Sequence, residues 1–284
     1  MPRTGSPTYS FILCTKNGGK RLLACLDHIE RLRAPDDMEL LLVDNGSTDG
    51  ESFEALNAFA ARSRFATRVL RTFVPGNSAG RNVALAHAAG EVQMFIDDDC
   101  YVDPGFVEAW GAVFAQHDIG YASGMIVRFD PGHSMLGCNE HEREVRIERG
   151  RFVRRGFIQG SNMAFRRECL QAVGRFDERF GAGTPFAGEE WDLALRASRL
   201  GWAGGYFPQP RVAHDHGRAD ADARERLLFY DYGAGAVYAK NTFSRAGVTV
   251  FRQYVRDLKG LRPDAPRHAM LRRGYVDFVA RRAA

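Results

Sequence analysis

Three consecutive aspartates, Asp97, Asp98 and Asp99, follow an apolar run that ends at Ile96. Carboxylates this close together raise one another's pKa unless a cation neutralises them. Oxygen ligands suit hard ions such as Mg²⁺ or Mn²⁺, and Mg²⁺ commonly takes one or two carboxylates together with substrate phosphates. The triplet therefore predicts a divalent metal site. For an isolated triplet, a solvated acidic turn or a helix cap before Pro104 is the simpler alternative.

A second polar cluster follows another apolar run, which ends at Val43 and is succeeded by Asp44-Asn-Gly-Ser-Thr-Asp49. Ser47 or Asp49 is suited to capping the next helix. Asp44 comes too early in the chain for that role. We therefore expect it to contact a ligand, for example by accepting hydrogen bonds from a nucleobase.

Alternating strands and helices are expected to position these side chains. The predicted strands are 9–14, 39–43, 67–71 and 92–96, and the predicted helices are 20–33, 52–63 and 79–89. This alternation favours a mostly parallel sheet, whose ligands bind beyond the carboxyl ends of the strands. The two clusters, together with Thr15-Lys-Asn17 after the first strand, are therefore expected at one edge of the sheet.

The second half of the sequence is less regular. Residues 128–160 are rich in Gly and Arg and predict long loops with a hairpin, and such loops often hold acceptors or form lids. A further strand is expected at 206–208. Two amphipathic helical patterns follow Ala219.

Basic character is concentrated in the tail. Residues 240–284 hold eleven Lys or Arg against three Asp or Glu, a balance of +8, so the rest of the chain carries −4 of the total +4. Amphipathic helices of this kind usually pack on their own domain. The alternative is contact with an anionic membrane surface, which would bring the protein to a lipid-linked substrate.

Composition predicts a globular protein in a reducing compartment. The 284 residues are 45% hydrophobic, and the five cysteines are scattered, with no close pair that indicates a zinc or redox site. Residues 1–7 lack the basic and apolar run of a signal peptide, and no stretch approaches the ~20 apolar residues that span a bilayer. A cytoplasmic location is expected, with peripheral contact at the inner face of the membrane as the alternative.

Several classes of phosphate-binding protein are excluded. The sequence has no Gly-x-x-x-x-Gly-Lys-Ser/Thr loop and no Gly-x-Gly-x-x-Gly after the first strand, which argues against kinases and dehydrogenases. A sugar nucleotidyltransferase would usually carry a Gly-rich basic loop where Thr15-Lys-Asn-Gly-Gly-Lys20 stands. The pI of 8.9 raises nucleic-acid binding as a third class. Because the basic residues lie in the tail and no zinc finger or RNP-like motif occurs, no nucleic-acid partner is expected.

Six motifs in order, from about residue 9 to 217, give the chain a specific resemblance to the family 2 glycosyltransferases. The first position usually reads Thr-Tyr-Asn in that family, and the third motif contains its Asp-x-Asp site. The motifs are Thr15-Lys-Asn17; Val43-Asp-Asn-Gly-Ser-Thr-Asp-Gly50; Asn77-Ser-Ala-Gly-Arg-Asn82 leading to Phe95-Ile-Asp-Asp-Asp99; Gln159-Gly-Ser-Asn-Met-Ala-Phe-Arg-Arg167 followed by Val173-Gly-Arg-Phe-Asp-Glu178; Gly188-Glu-Glu-Trp-Asp-Leu193; and Val212-Ala-His214.

The resemblance implies an α/β GT-A fold, with a mostly parallel, Rossmann-like nucleotide-binding sheet flanked by helices. Residues 1–218 would form the transferase domain, with a nucleotide-sugar half at about 9–100 and an acceptor half at about 101–218. Residues 219–284 would form a basic helical extension. The implied activity is inverting transfer from a nucleotide-diphosphate sugar to a glycan or lipid-linked acceptor, assisted by Mn²⁺ or Mg²⁺.

The resemblance also implies roles for particular residues. Asp44 would hold the base, Asp97 the ribose or the metal, and Asp99 the metal that bridges the diphosphate. His214 is a further metal candidate, and His216 is a weaker one. Arg81 would help to neutralise the diphosphate, unless it lies on a helix surface. The full donor set is Thr15, Asn17, Asp44, Asn77, Arg81, Asp97 and Asp98, and the metal set is Asp99, Asp97 and His214.

Inversion requires a general base that deprotonates the acceptor hydroxyl. Glu190 stands where the family usually has Asp, so it is the implied base, with Asp192 as a substitute. The alternative for Glu189 and Glu190 is that they merely charge a helix amino terminus. Separately, the Glu that replaces the usual Asp allows the chain to be a catalytically weakened nucleotide-binding module of the same fold. Trp191 would stack on an acceptor sugar or pack in the core, and Asn162 is a further acceptor candidate.

Overall fold

The computed structural model describes residues 8–35, 37–244 and 247–283. Residues 1–7, on which the signal-peptide expectation rests, lie outside the described residues. The amino-terminal half alternates strands and helices as the sequence predicts. Its elements are β1 (Tyr9–Thr15), α1 (Gly19–Glu30), β2 (Glu39–Asp44), α2 (Glu51–Arg62), β3 (Ala66–Arg71), α3 (Asn77–Leu85) and β4 (Val92–Asp97).

These four strands form a parallel sheet in the order β3-β2-β1-β4. In its register, Thr15 lies opposite Asp44 and Cys14 lies opposite Asp97. The polar segments that follow the strands therefore meet at one edge, as predicted. The capping expectation is also confirmed, because the Asp49 carboxylate accepts hydrogen bonds from the first amides of α2, those of Glu51 and Ser52.

The second half extends the sheet with mixed strand directions. Its elements are β5 (Cys100–Val102), α4 (Phe106–Gln116), β6 (Tyr121–Arg128), β7 (Val145–Ile147), β8 (Asn162–Arg166), α5 (Arg167–Val173), α6 (Glu189–Arg199) and β9 (Gly204–His214). β8 lies antiparallel between β4 and β6, and β9 is parallel to β6. The strand expected at 206–208 is the middle of the longer β9.

Long loops do connect β6 to β8, as predicted for 128–160. The predicted hairpin does not form there. β7 pairs with β9 instead, and Asn139 makes only an isolated bridge to Ile126. Since the partner strand lies about 60 residues further along the chain, no local turn signal specifies this pairing.

Two hydrophobic cores cover the two faces of the sheet, and β1 shows how the sequence divides between them. Phe11 and Leu13 pack with α1, α2 and α4, whereas Ile12 and Cys14 pack with α3, α6 and the carboxy-terminal helices. All four side chains are buried. A fully buried apolar side chain of this size contributes roughly 1.5–3 kcal/mol, so burial on both faces stabilises β1 in the interior of the sheet.

The carboxy-terminal segment is helical and packs on the domain, the arrangement that amphipathic helices usually adopt. Its helices are α7 (Asp220–Thr242), α8 (Gly247–Lys259) and α9 (Pro266–Ala283). α7 and α9 approach at glycines: a Cβ atom on Gly235 would lie 2.1 Å from the Leu271 carbonyl oxygen, and one on Gly274 would meet the Tyr232 carbonyl. This explains the small residues of 232–239. None of the described helices is long and apolar enough to cross a bilayer.

Candidate functional site

A cavity of about 460 Å³ opens where the carboxyl edge of the sheet meets α6, α7 and α9. It brings together six of the residues that the sequence analysis selected. They are Asn77, Arg81, Asp97, Glu190, Trp191 and His214. Thr15, Asn17, Asp44, Asp98, Asp99 and Asn162 are not among its lining residues.

Arg81 forms the centre of a buried ion-pair network at the floor of the cavity. Its guanidinium donates to Asp97 at 3.0 Å, to Glu189 at 2.8 Å and to the Gly160 carbonyl at 3.2 Å. Burial lowers the pKa of Arg81, but the charges of Asp97 and Glu189 outweigh it and raise the pKa above its ordinary value. Arg81 is 1% exposed, so the helix-surface alternative is wrong.

This network also changes the role expected for Arg81. Two carboxylates already share its positive charge, so it is not free to neutralise a diphosphate directly. Its evident role is to hold the Asp97 and Glu189 side chains in place and to give each buried carboxyl group a partner, since an unpaired buried carboxylate is costly. Sequence reasoning missed this function of Glu189, because an acidic residue in the first turn of a helix is ordinarily only a favourable dipole partner.

Asp97 ends β4 and stays partly open to the cavity. Its carboxylate accepts hydrogen bonds from Asn77 Nδ2 at 3.4 Å and from Ser161 Oγ at 3.1 Å, in addition to the contact with Arg81. Its side chain remains 31% exposed. Asp97 is therefore held in a fixed orientation with access to a ligand.

Glu190 is the second residue of α6, which begins directly after Gly188, whose φ of 104° is a conformation that favours glycine. It is half-buried in the cavity wall. Burial, followed by the charge of Glu189, raises the pKa of Glu190 well above its ordinary value. Among the described residues, no basic side chain lies within ion-pair distance of it. Glu190 therefore supplies a carboxylate that binds protons more strongly than an ordinary glutamate does.

Asp192 is not placed to substitute for Glu190. It is fully buried, and Arg196, Lys240 and Asn241 all bind its carboxylate at 2.7–3.0 Å. It is not among the residues that line the cavity. Its evident role is to anchor α6 to α7.

Asp99 and His214 form the candidate metal centre beside the cavity. The Asp99 Oδ1 and His214 Nε2 atoms are 3.3 Å apart, because β5 pairs with β9 and places Cys100 opposite His214. Burial raises the pKa of Asp99, but His214 more than compensates and lowers it. Burial lowers the pKa of His214, and Asp99 reverses that shift so that the pKa is raised.

The chemistry of these donors fits a divalent metal. One ligand atom from each of Asp99, Cys100 and His214 lies within 4.8 Å of the others. Carboxylate oxygen and imidazole nitrogen suit Mn²⁺ or Mg²⁺ better than a thiol does. Burial raises the pKa of the Cys100 thiol well above its ordinary value, so it stays protonated. Asp99 and His214, with Asp97 nearby in sequence, are therefore the better ligand set.

His216 is placed differently from His214. Its Nε2 lies 2.9 Å from the Ser134 carbonyl, and its Nδ1 accepts a hydrogen bond from the Arg218 amide at 3.0 Å. Both ring nitrogens are therefore occupied. His216 supports the loop at 133–138 rather than offering a free nitrogen to a metal.

Asp98 turns away from the cavity toward the end of β1. It accepts a short hydrogen bond from the Thr15 hydroxyl, and it faces Gly18, where a Cβ atom would lie 2.7 Å from its carboxylate. Burial, together with the charges of Asp99 and Asp97, raises the pKa of Asp98 to about 7, although the bond from Thr15 opposes that shift. Thr15 and Asp98 therefore shape the turn that precedes α1, and their roles in donor binding stay predictions.

Asn17 and Asp44 organise the loops at the edge of the sheet. Asn17 has a φ of 55°, and its side-chain oxygen accepts hydrogen bonds from the Thr48 and Asp49 amides. Asp44 is fully buried and is paired with Arg71 at 2.7 Å. Contact between Asp44 and a nucleobase therefore requires the Arg71 side chain to move. The roles of Asn17 and Asp44 in donor binding stay predictions.

The two acceptor candidates are buried, which argues against direct contact with an acceptor. Trp191 is 2% exposed, donates its indole N–H to the Val153 carbonyl at 2.8 Å and packs edge-on against Tyr238. This is the core-packing alternative. Asn162 is fully buried in β8 and donates to the carbonyls of Met125 and Pro210 at 2.9 Å each. It holds strands together.

Other residues of the cavity wall were not anticipated from sequence. They come from the loop before β8 and from the carboxy-terminal helices, and they include Arg155, Arg226, Tyr230 and Arg267. Arginine and tyrosine at such positions carry no spacing signal, since an exposed helix face has the same composition. Only the tertiary packing of α7 and α9 brings them to the cavity.

Comparison with known proteins supports the resemblance seen in the motifs. The sequence profile of Glycosyl transferase family 2 matches residues 10–174, which is more than half of the chain. The chain is 33% identical over 237 residues to the uncharacterized protein y4gI of Sinorhizobium fredii, covering 75% of this chain but only a quarter of that protein. It is 27% identical over 225 residues to the N-acetylglucosaminyl-diphospho-decaprenol L-rhamnosyltransferase of Mycobacterium tuberculosis, covering 66% of this chain and 71% of the relative.

Solved structures support the fold. The mannosyltransferase PcManGT from Pyrobaculum calidifontis, in complex with GDP-Man and Mn²⁺, aligns with a TM-score of 0.65 at 18% identity. The alignment covers 99% of this chain and 76% of that one. The predicted α/β GT-A fold is thus confirmed, including its helical carboxy-terminal region.

Proposed function

The chain belongs to glycosyl transferase family 2, and on that basis we propose that it transfers a sugar from a nucleotide-diphosphate donor to an acceptor hydroxyl with inversion. The single observation that carries the proposal is the cavity in which Glu190 shares the wall with Asp97 and His214. A candidate base and candidate donor-site residues thus face one space, large enough for part of a sugar nucleotide and an acceptor.

In the proposed reaction, Glu190 accepts the proton of the acceptor hydroxyl. At the same time, the oxygen of that hydroxyl attacks the anomeric carbon of the donor sugar. Attack comes from the face opposite the departing nucleotide, which inverts the configuration. The raised pKa of Glu190 makes it a stronger proton acceptor, and no ion-pair partner among the described residues occupies its carboxylate. Arg81 keeps the adjacent Glu189 in place.

We assign Asp97, Asp99 and His214 as ligands for Mn²⁺ or Mg²⁺. Such an ion supplies Lewis-acid stabilisation of the negative charge on a departing diphosphate. Binding of a sugar nucleotide and Mn²⁺ by PcManGT, which shares the fold, supports the assignment. Thr15, Asn17, Asp44, Asn77 and Asp98 would shape the donor side.

For the acceptor we propose a glycan or a lipid-linked saccharide, in keeping with the diphospho-decaprenol named for the mycobacterial relative.

We also propose that residues 1–218 form the transferase domain and that 219–284 extend it, with the basic helices in peripheral contact with a membrane. The packing of α7 and α9 beside the cavity supports a role for this extension at the acceptor side.

A second function is a nucleotide-binding module with weakened catalysis. The observation that favours it is Glu190 itself, since a glutamate stands where the family usually has an aspartate. The extra methylene shifts the carboxylate relative to the acceptor hydroxyl. Measured sugar transfer that disappears in Glu190→Gln would dismiss this alternative.

A thermal-shift screen of nucleoside diphosphates, with and without Mn²⁺, tests the proposal. Selective binding raises the melting temperature, by an amount that follows ligand concentration over Kd. We expect one nucleotide to stabilise the protein only with Mn²⁺, and the effect to disappear in Asp99→Ala but to persist in Asp27→Ala, whose side chain is exposed on α1. Absence of stabilisation by every nucleotide would remove the donor from the proposal.

A further inference from the structure

One wall of the cavity is formed by three arginines that belong to none of the predicted site motifs. Arg155 lies in the loop before β8, Arg226 on α7 and Arg267 at the start of α9. Tyr230 lies beside them on α7. These elements differ from the strand ends that carry the predicted donor residues, so the arginines form a separate part of the cavity.

A buried carboxylate fixes two of these arginines. Asp231 is fully buried and accepts from Arg155 Nη1 at 2.6 Å and from Arg267 Nε at 2.7 Å and Nη2 at 3.2 Å. Because α7, α9 and the loop at 155 meet at this single side chain, both guanidinium groups are held in place without a ligand. Three arginines against one aspartate leave two positive charges on this wall.

Arg226 is the least satisfied member of the cluster. No described carboxylate lies within ion-pair distance of it, and its Nε atom is buried without a hydrogen-bond partner in the part of the chain that the structure describes. Its guanidinium lies 5.1 Å from the centre of the Tyr230 ring. A buried donor left unpaired is costly, so this position is suited to a ligand that supplies an oxygen acceptor.

We propose that Arg155, Arg226 and Arg267 bind a phosphate group of the acceptor, so that the substrate is a phosphorylated or diphosphate-linked saccharide. The planar guanidinium fork matches phosphate oxygens, and a preset cluster loses little entropy on binding. Glu190 lines the same cavity, so an acceptor anchored here presents its hydroxyl to the base. The inference rests on the proposed transferase function. The donor diphosphate is the other source of the same chemistry, and the experiment separates the two.

The first arm uses hexyl diphosphate, which has neither base nor sugar, titrated by calorimetry in EDTA so that no metal site contributes. We expect the native protein to bind it and Arg226→Gln to bind at least tenfold more weakly, as loss of a charge-assisted hydrogen bond implies. Arg226→Lys, which keeps the charge but loses the fork, should lie between them. Arg224→Gln, an exposed site on the same helix, should match the native protein.

The second arm titrates nucleoside diphosphates with Mn²⁺ into the same variants. Nucleotide affinity within twofold of native in Arg226→Gln supports an acceptor subsite, whereas a parallel loss assigns the arginines to the donor and overturns the inference. Equal hexyl diphosphate affinity in native protein and Arg226→Gln also overturns it. If no nucleotide binds any variant, the proposed function fails separately, and the first arm still decides whether the phosphate subsite exists.

Discussion

Glu190 combines a raised pKa with a position in the cavity wall, and this gives its chemistry a recognisable pH dependence. A general base acts only when deprotonated, so kcat/KM should fall as pH drops through a pKa above the ordinary glutamate value of about 4.3. We expect Glu190→Gln to lower kcat roughly 10²- to 10⁴-fold and to abolish this limb. Steady-state rates over pH 5–9 measure it, with Glu54→Gln, exposed on α2, as the control. If Glu190→Gln kept the same dependence of rate on pH as the native protein, Glu190 would be excluded as the base.

The same shift has a cost in stability. A carboxyl whose folded pKa is raised binds its proton more tightly in the folded state, so the protein loses stability as pH rises from the unfolded to the folded pKa. Glu190→Gln should therefore melt at a higher temperature than the native protein at pH 8, and the difference should vanish near pH 4. Calorimetric melting at both pH values tests this. Equal melting temperatures at pH 8 would contradict the assigned shift.

At the scale of elements, Lys240 joins α7 to α6 and to the loop before it. Its ammonium lies 2.7 Å from both Asp177 and Asp192. Burial raises the pKa of each aspartate, but the basic partners outweigh burial and hold each pKa below its ordinary value. Removing one partner of a buried pair typically costs about 3 kcal/mol, so Lys240→Met should lower the free energy of unfolding by that order.

The pH dependence of this effect has a definite sign. Depressed aspartate pKa values stabilise the fold fully above about pH 5, and the contribution is lost as pH falls. The cost of Lys240→Met should therefore be present at pH 7 and shrink below pH 4 in denaturant titrations. Lys259→Met, exposed on α8, is the matched control. An equal cost at both pH values would show that packing, not charge, holds α7.

The glycine contacts between α7 and α9 give a second prediction about elements. A Cβ on Gly235 would lie 2.1 Å from a backbone oxygen of α9, which no rotamer can avoid. Gly235→Ala gains about 1 kcal/mol in helix propensity but should lose more through overpacking, typically 1–3 kcal/mol. Hydrogen exchange should show faster opening of α9, whereas Gly260→Ala, with neighbours no closer than 3.5 Å, should not. Unchanged protection of α9 would contradict this packing.

Positive charge is concentrated in the carboxy-terminal residues 240–284, and there it lies next to exposed apolar side chains. Val248 and Phe251 on α8 are exposed, close in sequence to Arg252 and Lys259. Each basic residue near an anionic membrane contributes about 1 kcal/mol, so cosedimentation with phosphatidylserine vesicles should be strong at low salt and fall as salt rises. Phosphatidylcholine vesicles are the control. Failure to sediment at low salt would argue against the membrane contact.

The parallel half of the fold was predictable from sequence because each strand is a short apolar run bounded by polar segments. The mixed half was not, because β8 and β9 pair with strands distant in the chain. The candidate site divides in the same way. Motif order identified Asp97, Glu190 and His214, whereas the burial of Arg81 between Asp97 and Glu189 could not be deduced from a charged residue on a predicted helix. Trp191 and Asn162, which lie within two of the motifs, proved to be packing residues.

The cavity lies between the carboxy-terminal helices and the strand ends, and this has a consequence for how such proteins diversify. Because α7 and α9 close one side of the cavity while the strand ends form another, the two sides can change independently under selection. Grafting a related protein's last two or three helices onto this sheet should alter which molecules receive the sugar while leaving the preferred nucleotide unchanged. The carboxy-terminal helices would then act as an exchangeable unit. Asp231 on α7 contacts both Arg267 on α9 and Arg155 in the loop before β8, so grafted helices would have to preserve these contacts.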